Sequence, residues 1–158
     1  MKATLVPFNA LYGLDVCSRL IDEERTQLEA FVGTPFNVDV LLQSILNLRG
    51  PKWAILHADR AVIVGGFIPR RPTVYETWLL SAAEAWTGKL GITEIVSREM
   101  GNMLANGARR LETVCLEARS QTRAWYPKIG LRYEATFPQY GSRGETAVMY
   151  VATAEVAA

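Results

Sequence analysis

The lengths of the links between β-forming stretches constrain this chain more than any other feature. Trp53–His57 and Ala61–Val64 are separated only by Ala58-Asp59-Arg60, a connection of hairpin length that pairs neighbouring strands antiparallel. A turn at Pro69-Arg70-Arg71-Pro72 leads to a third strand, Thr73–Leu80, rich in β-formers. The next strand, Leu111–Glu117, comes only after a helix in which Ile92, Val96, Met100, Met103 and Leu104 recur at helical spacing. A crossover of that kind sets the strands it joins parallel. Hairpins and one crossover together require a mixed sheet.

The flanking elements complete it. Ala3–Phe8 reads as a first strand. After a turn region at Asn9–Gly13, the spacing of Leu14, Cys17, Ile21, Leu28 and Phe31 predicts one helix or two short ones, ended by Gly33 and Pro35. Within it, Asp22-Glu23-Glu24 reads as a solvated face, with Asp22 as the cap of a second piece. Asn37 caps a further helix whose stripe is Val38, Leu41, Leu42, Ile45 and Leu46, closed by Arg49-Gly50-Pro51. Gly65-Gly66 is expected to let its strand bulge or change direction before Phe67-Ile68. Thr93 is the expected cap of the long helix and Asn106-Gly107 its stop.

From Leu111 to Tyr133 the chain reads strand, short helix, strand. The helix breaks in at Arg119-Ser120, carries the pair Trp125-Tyr126 and stops at Gly130. Strands at Leu131–Phe137 and Thr146–Thr153, joined by the glycine-rich Tyr140–Gly144, finish the domain. The order is β-α-α-β-β-β-α-β-α-β-β, an α/β chain with a mixed sheet and helices on both faces. Residues 1–158 form one domain with a frayed tail at 153–158.

Composition narrows the function classes. With 17 basic and 16 acidic residues, a net charge of +1 provides no global field toward nucleic acid or lipid. The local cluster Arg109-Arg110, Arg119 and Arg123 does not reverse that, and nucleic acid is not an expected partner. Cys17 and Cys115 lie in apolar patterns and read as small buried hydrophobes, which suits a reducing cytoplasm. No leader pattern and no apolar run of about 18 residues appears, so a cytoplasmic protein outside the membrane is expected. His57, the only histidine, sits on a strand and carries little functional weight; no metal-ligand set is read.

The element order, ending around Ala124-Trp125-Tyr126-Pro127-Lys128-Ile129-Gly130-Leu131, resembles the GNAT superfamily of acyl-CoA-dependent N-acetyltransferases. That segment is similar to the family's aromatic-Tyr-x-Lys-x-Gly-aromatic motif, with leucine in the last place. Gly88-Lys89-Leu90-Gly91 falls where the family places its acyl-CoA diphosphate loop. A glycine-containing loop entering a helix leaves backbone N–H groups unpaired, and with the helix dipole these make an anion site. The loop departs from the family's Gln/Arg-x-x-Gly-x-Gly/Ala in either register: with Gly88 as the first glycine, Ala85 and Leu90 occupy the other two places, and with Gly91 as the last, Trp86 and Lys89 do. Arg119 stands where an asparagine is often found, seven residues before the tyrosine.

The resemblance implies acetyl-CoA as acyl donor and an amine of a small molecule or host protein as acceptor. It implies cofactor contacts at Leu79, Leu80, Gly88, Lys89, Leu90, Gly91, Ile92, Thr93, Arg119 and Arg123, and Tyr126 as general acid. A phenol with a pKa of about 10 can protonate a nearby thiolate. Glu76, mid-strand among β-formers, is the candidate base. Acceptor selection would fall to the first helices and the Gln139–Glu145 loop. Val64-Gly65-Gly66, Glu76-Thr77-Trp78-Leu79, Trp86 and the Lys-Ile-Gly segment also resemble small GNAT-like proteins of short-tailed lytic phages. That likeness implies an alternative: a weakly active or inactive GNAT-fold protein that binds a host protein or joins the virion, found in the host cytoplasm or the particle. The family's habit of pairing through sheet edges or C-terminal strands also implies a homodimer as an option.

Overall fold

The computed structural model describes residues 2–88 and 90–155. Lys89 and the last three residues of the expected frayed tail, 156–158, lie outside the described residues. The strands are β1 (Thr4–Pro7), β2 (Lys52–His57), β3 (Arg60–Arg71), β4 (Val74–Ser81), β5 (Arg110–Leu116), β6 (Arg132–Phe137) and β7 (Ala147–Thr153). They form one sheet in the order β1-β2-β3-β4-β5-β7-β6, antiparallel except for the parallel pair β4 and β5. The helices are α1 (Ala10–Cys17), α2 (Asp22–Val32), α3 (Val38–Leu46), α4 (Ile92–Ala105) and α5 (Ser120–Trp125).

Helix faces sort the core into two layers. Val16, Cys17 and Ile45 pack with Ala54, Val64 and Leu80 on one side of the sheet, while Ile92, Val96 and Met100 of α4 pack with Trp53, Ile63 and Phe67 on the other. Tyr126 and Ile129, from the 3-10 turn after α5, join the α4 side. The alternation of strand side chains between faces is what divides these residues.

Several local expectations change. Asn9 does not open a turn: its side chain accepts the Tyr12 N–H at 2.9 Å and caps α1, which includes Gly13. The cap residue of α2 is Ile21, and Asp22 is already inside the helix. Asn37 caps α3 as expected, accepting from Val40 N–H. Ala58 and Asp59 both adopt positive φ, 49° and 61°, and close β2–β3 as a two-residue hairpin turn. The glycine pair makes no bulge. β3 runs through it and through Pro69–Arg71, with one irregularity against β2, where Val62 is the extra residue, and one against β4 between Pro69 and Arg71.

The glycines instead admit tryptophans. A Cβ at Gly65 would lie 2.6 Å from the Trp53 ring, and one at Gly66 would lie 2.3 Å from the Pro51 carbonyl and 3.0 Å from Trp78 Nε1. One indole therefore crosses β3 on each face of the sheet.

Candidate active site

The parallel pairing of β4 with β5 covers only Val74↔Arg110, Tyr75↔Leu111 and Glu76↔Glu112. Beyond Glu76 the strands part, and a cleft of about 960 Å³ opens between them. The Thr73 carbonyl accepts from Arg109 and Arg110 N–H groups, which fixes the odd-numbered peptides of β4 toward β5. Leu79 is thus left with its N–H and C=O on the open side. Leu80 is not: its peptide turns to β3, where it pairs with Val64, although the residue borders the cleft.

Helix α2 is fastened across this gap. Ile21 N–H donates to the Ser81 carbonyl at the end of β4 (3.2 Å), and Leu116 N–H at the end of β5 donates to Gln27 Oε1 (3.0 Å). Between these anchors Glu24 is carried into the cleft, where it is 4% exposed. Its Oε1 accepts from Arg119 Nη2 and from Ser81 Oγ, at 3.3 and 3.2 Å, and Ser81 Oγ in turn accepts from Trp86 Nε1 at 2.8 Å. Among the described residues no hydrogen bond reaches Glu24 Oε2. Burial raises the Glu24 pKa, and the Arg119 guanidinium opposes that rise. Glu24 is therefore no part of a solvated face, and the reason is a partner 95 residues away.

Tyr126 borders the cleft from the α4 side and is 8% exposed. Burial pushes its pKa up, as does neighbouring Cys115, so the phenol holds its proton through neutral pH. Glu76 also borders the cleft, but it lies on the same face as Trp78 and is 37% exposed in its side chain. It is engaged by Arg70, whose Nε donates at 2.7 Å.

The start of α4 opens a second cavity of about 260 Å³, bordered by Gly88, Leu90, Gly91, Ile92 and Thr93. The cap is Gly91, at φ 78°, and no side chain caps the first helical N–H groups. Thr93 is not the cap; its hydroxyl accepts from Trp125 Nε1 at 2.9 Å. Trp125 packs edge-on against Trp86, and the two rings stand between the cavity and the cleft. Glu94 in the first turn of α4 also faces this cavity.

The predicted arginine cluster disperses. Arg119 reaches the cleft but pairs with Glu24, and Arg110 pairs with Glu112 and Glu134. Arg123, expected among the cofactor contacts, borders neither cavity; it donates to Tyr150 Oη at 3.2 Å and to the Glu117 carbonyl at 3.1 Å. Lys89 lies outside the described residues. Cys17 and Cys115 are buried free thiols. Sequence reasoning missed Glu24 altogether; the one signal available was its position three residues after the apolar Ile21 in a helix that must bury one face.

A mixed seven-stranded sheet that parts between β4 and β5, with a helix entering from a glycine loop, is the GNAT acetyltransferase fold. Solved structures with this fold superpose over nearly the whole chain. A ribosomal-protein-alanine N-acetyltransferase from Brucella melitensis aligns at TM-score 0.74 and 13% identity, covering 95% of this chain and 99% of its own. A GNAT superfamily phosphinothricin acetyltransferase from Sinorhizobium meliloti, in complex with AcCoA, aligns at TM-score 0.71 and 16% identity, covering 98% and 89%. A putative acetyltransferase from Salmonella typhimurium with its cofactor acetyl-CoA aligns at 0.73 and 12%, covering 100% and 97%. No protein-family model matches the sequence, and no curated protein does. No helix among the described residues is long and apolar enough to cross a membrane.

Proposed function

We propose that this protein is an acyl-CoA-dependent N-acyltransferase. The observation that carries the reading is the gap between β4 and β5, with the unpaired Leu79 peptide along it and Glu24 and Tyr126 on its two sides, and an uncapped helix start in the neighbouring cavity beyond Trp86 and Trp125. The residues present fit a coenzyme A thioester. The Leu79 peptide would take the pantetheine amides, and the first N–H groups of α4 would take the diphosphate. The thioester supplies an activated acyl carbon when bound. GNAT-fold neighbours solved with acetyl-CoA support that choice.

Glu24 serves as base in this reading, in place of Glu76. Its Oε2 is free and its raised pKa brings it nearer the working pH, as a base requires. Glu24 accepts the proton of the attacking amine while the carbon–nitrogen bond forms. Tyr126 gives its hydroxyl proton to the departing sulfur as the carbon–sulfur bond breaks. A phenol with a raised pKa suits that task here, because the same dry surroundings that raise it also raise the basicity of a thiolate. Ser81 and Arg119 hold the Glu24 carboxylate in position.

Acetyl-CoA titration followed by calorimetry and thermal melting tests the reading. A ligand at about one hundred times its Kd adds about 2.7 kcal/mol to the native state, and a matching rise in melting temperature is expected. One observation favours a second reading: Glu94 places a negative charge in the first turn of α4, against a diphosphate. On that reading the chain is an inactive GNAT-fold protein, of the phage type, that binds a host protein or joins a particle. Absence of any melting shift at millimolar acetyl-CoA would select it.

A further inference from the structure

Trp86 stands the wrong way round for an indole near the surface. Such a ring ordinarily buries its body and leaves the N–H in water. Here the residue is 41% exposed, yet its Nε1 donates inward at 2.8 Å, to the Oγ of the fully buried Ser81. The ring ends a short 3-10 turn, Ala83–Trp86, just after β4. It is braced edge-on by Trp125, whose own N–H is taken by Thr93 in the first turn of α4. The arrangement leaves apolar area in water and brings one donor to one hydroxyl.

The consequence falls on a proton. An indole N–H can only donate, so it occupies a lone pair of Ser81 Oγ. The single proton of the hydroxyl is left for its other neighbour, Glu24 Oε1, at 3.2 Å. An oxygen that accepts one hydrogen bond donates the next more strongly, and a low-dielectric interior strengthens both. Glu24 Oε1 also takes Arg119 Nη2, so two donors converge on one oxygen of the carboxylate. Without the indole the hydroxyl is free to rotate, and it accepts from a neutral carboxyl as readily as it donates to an ionised one.

We infer that Trp86 is a positioning residue for the base: its N–H fixes the Ser81 proton on Glu24 Oε1, which favours the ionised carboxylate and keeps Oε2 for the amine. The inference rests on the acyl-CoA reading above, in which Glu24 is the base, and adds a residue that acts on it through Ser81. The other charged or titratable groups facing Glu24 are Arg119 across the gap, Glu23 on its own helix and the Tyr126 phenol. All three stay in place when the indole N–H is removed, so a change in Glu24 ionisation is assigned to the hydroxyl.

The test is a carboxyl-carbon NMR titration of the glutamates in the whole protein, with the Glu24 signal identified by its loss in Glu24→Gln. Trp86→Phe keeps a ring against Trp125 and removes the donor, and its Glu24 is expected to titrate at higher pH than in the parent. Ser81→Ala should raise that titration as well. Trp86→Phe added to Ser81→Ala should raise it no further, because the indole acts through the hydroxyl. In a thiol-release assay with acetyl-CoA, kcat/KM of Trp86→Phe should fall about tenfold at the acid end, the size of one hydrogen bond to a charged group. It should meet the parent on the alkaline plateau. If Ser81→Ala fails to fold, the shift in Trp86→Phe alone decides. A further shift in the double variant would overturn the route through Ser81. A Trp86→Phe titration that coincides with the parent would overturn the assignment and leave the acyl-CoA reading standing. No binding of acetyl-CoA by the parent in calorimetry would overturn both.

Discussion

The two sides of the gap between β4 and β5 are built on opposite principles. On the α2 side, a carboxylate and a guanidinium that are almost fully buried are held together with a serine and a tryptophan N–H. On the α4 side, a close-packed apolar layer of Phe67, Val96, Met100, Ile129 and Leu131 backs Tyr126. Burying charge is expensive and is tolerated where it is paired and hydrogen-bonded; here the pairing is incomplete, because Arg119 Nε and Trp78 Nε1 are buried without a partner among the described residues. The charged side lowers stability relative to a filled apolar core, and it faces the ends of β4 and β5. The comparison teaches where the chain departs from the best-packed solution, and such departures concentrate at functional sites.

Replacing each carboxylate in turn is the sharpest way to break this comparison, and carries the largest effect. Glu24→Gln is expected to lower turnover by about 10²–10⁴-fold in a thiol-release assay with an amine acceptor, the range for loss of a positioned base. Glu76→Gln, which disrupts an exposed pair with Arg70, is expected to leave turnover near that of the parent. The reverse order would return the base to Glu76. In the parent, kcat/KM should rise with pH through a pKa above the ordinary carboxylate value, because burial raises Glu24. It should show no falling limb from Tyr126 below about pH 10, because burial raises that phenol too.

The charged side also predicts a stability effect. Arg119→Met leaves Glu24 buried without its cation, and is expected to destabilise by about 3–5 kcal/mol in urea unfolding near neutral pH. The sign of its pH dependence follows from Glu24. A carboxyl whose folded pKa lies above its unfolded value favours the native state at low pH and loses that contribution as pH rises through the folded pKa. The penalty of Arg119→Met should therefore shrink as the solution is acidified. The double variant Glu24→Gln/Arg119→Met should recover much of the loss. A penalty independent of pH would mean that the pair contributes packing and no charge.

How much of this was legible in the sequence depended on how local its cause was. Link lengths made the mixed sheet and its single parallel pair readable, and the cap at Asn37 was readable because the capped N–H group lies three residues away. The tyrosine after Trp125 could be placed at the cleft through resemblance. Glu24 could not be, because an acidic run reads as solvated unless its distant partner is known. The glycine pair was misread for a related reason: a Gly-Gly in a strand signals either a bend or a close approach, and the approaching indoles come from other strands. Propensity puts the cap of α4 at Thr93, whereas Trp125 Nε1 takes up that hydroxyl and Gly91 turns the chain.

That glycine pair offers the finest test of the two sides, with the smallest effect. Gly66→Ala drives a methyl toward the Pro51 carbonyl, and Gly65→Ala drives one toward the Trp53 ring and the Trp78 carbonyl. Each is expected to destabilise by roughly 1–3 kcal/mol, as overpacked sites do. Gly66→Ala should be the more costly of the two, since the nearest obstacle is a backbone oxygen that no rotamer change can move. Their ligand effects should part along the faces they crowd. Gly65→Ala displaces the Trp53 indole on the α4 side, behind the open Leu79 peptide, and should weaken acetyl-CoA binding in calorimetric titration. Gly66→Ala crowds Trp78 on the α2 side and should leave that affinity as it is in the parent. Equal effects of the two substitutions on acetyl-CoA affinity would show that the sheet between β2 and β4 responds as one unit, and that the two sides of the gap are not separable.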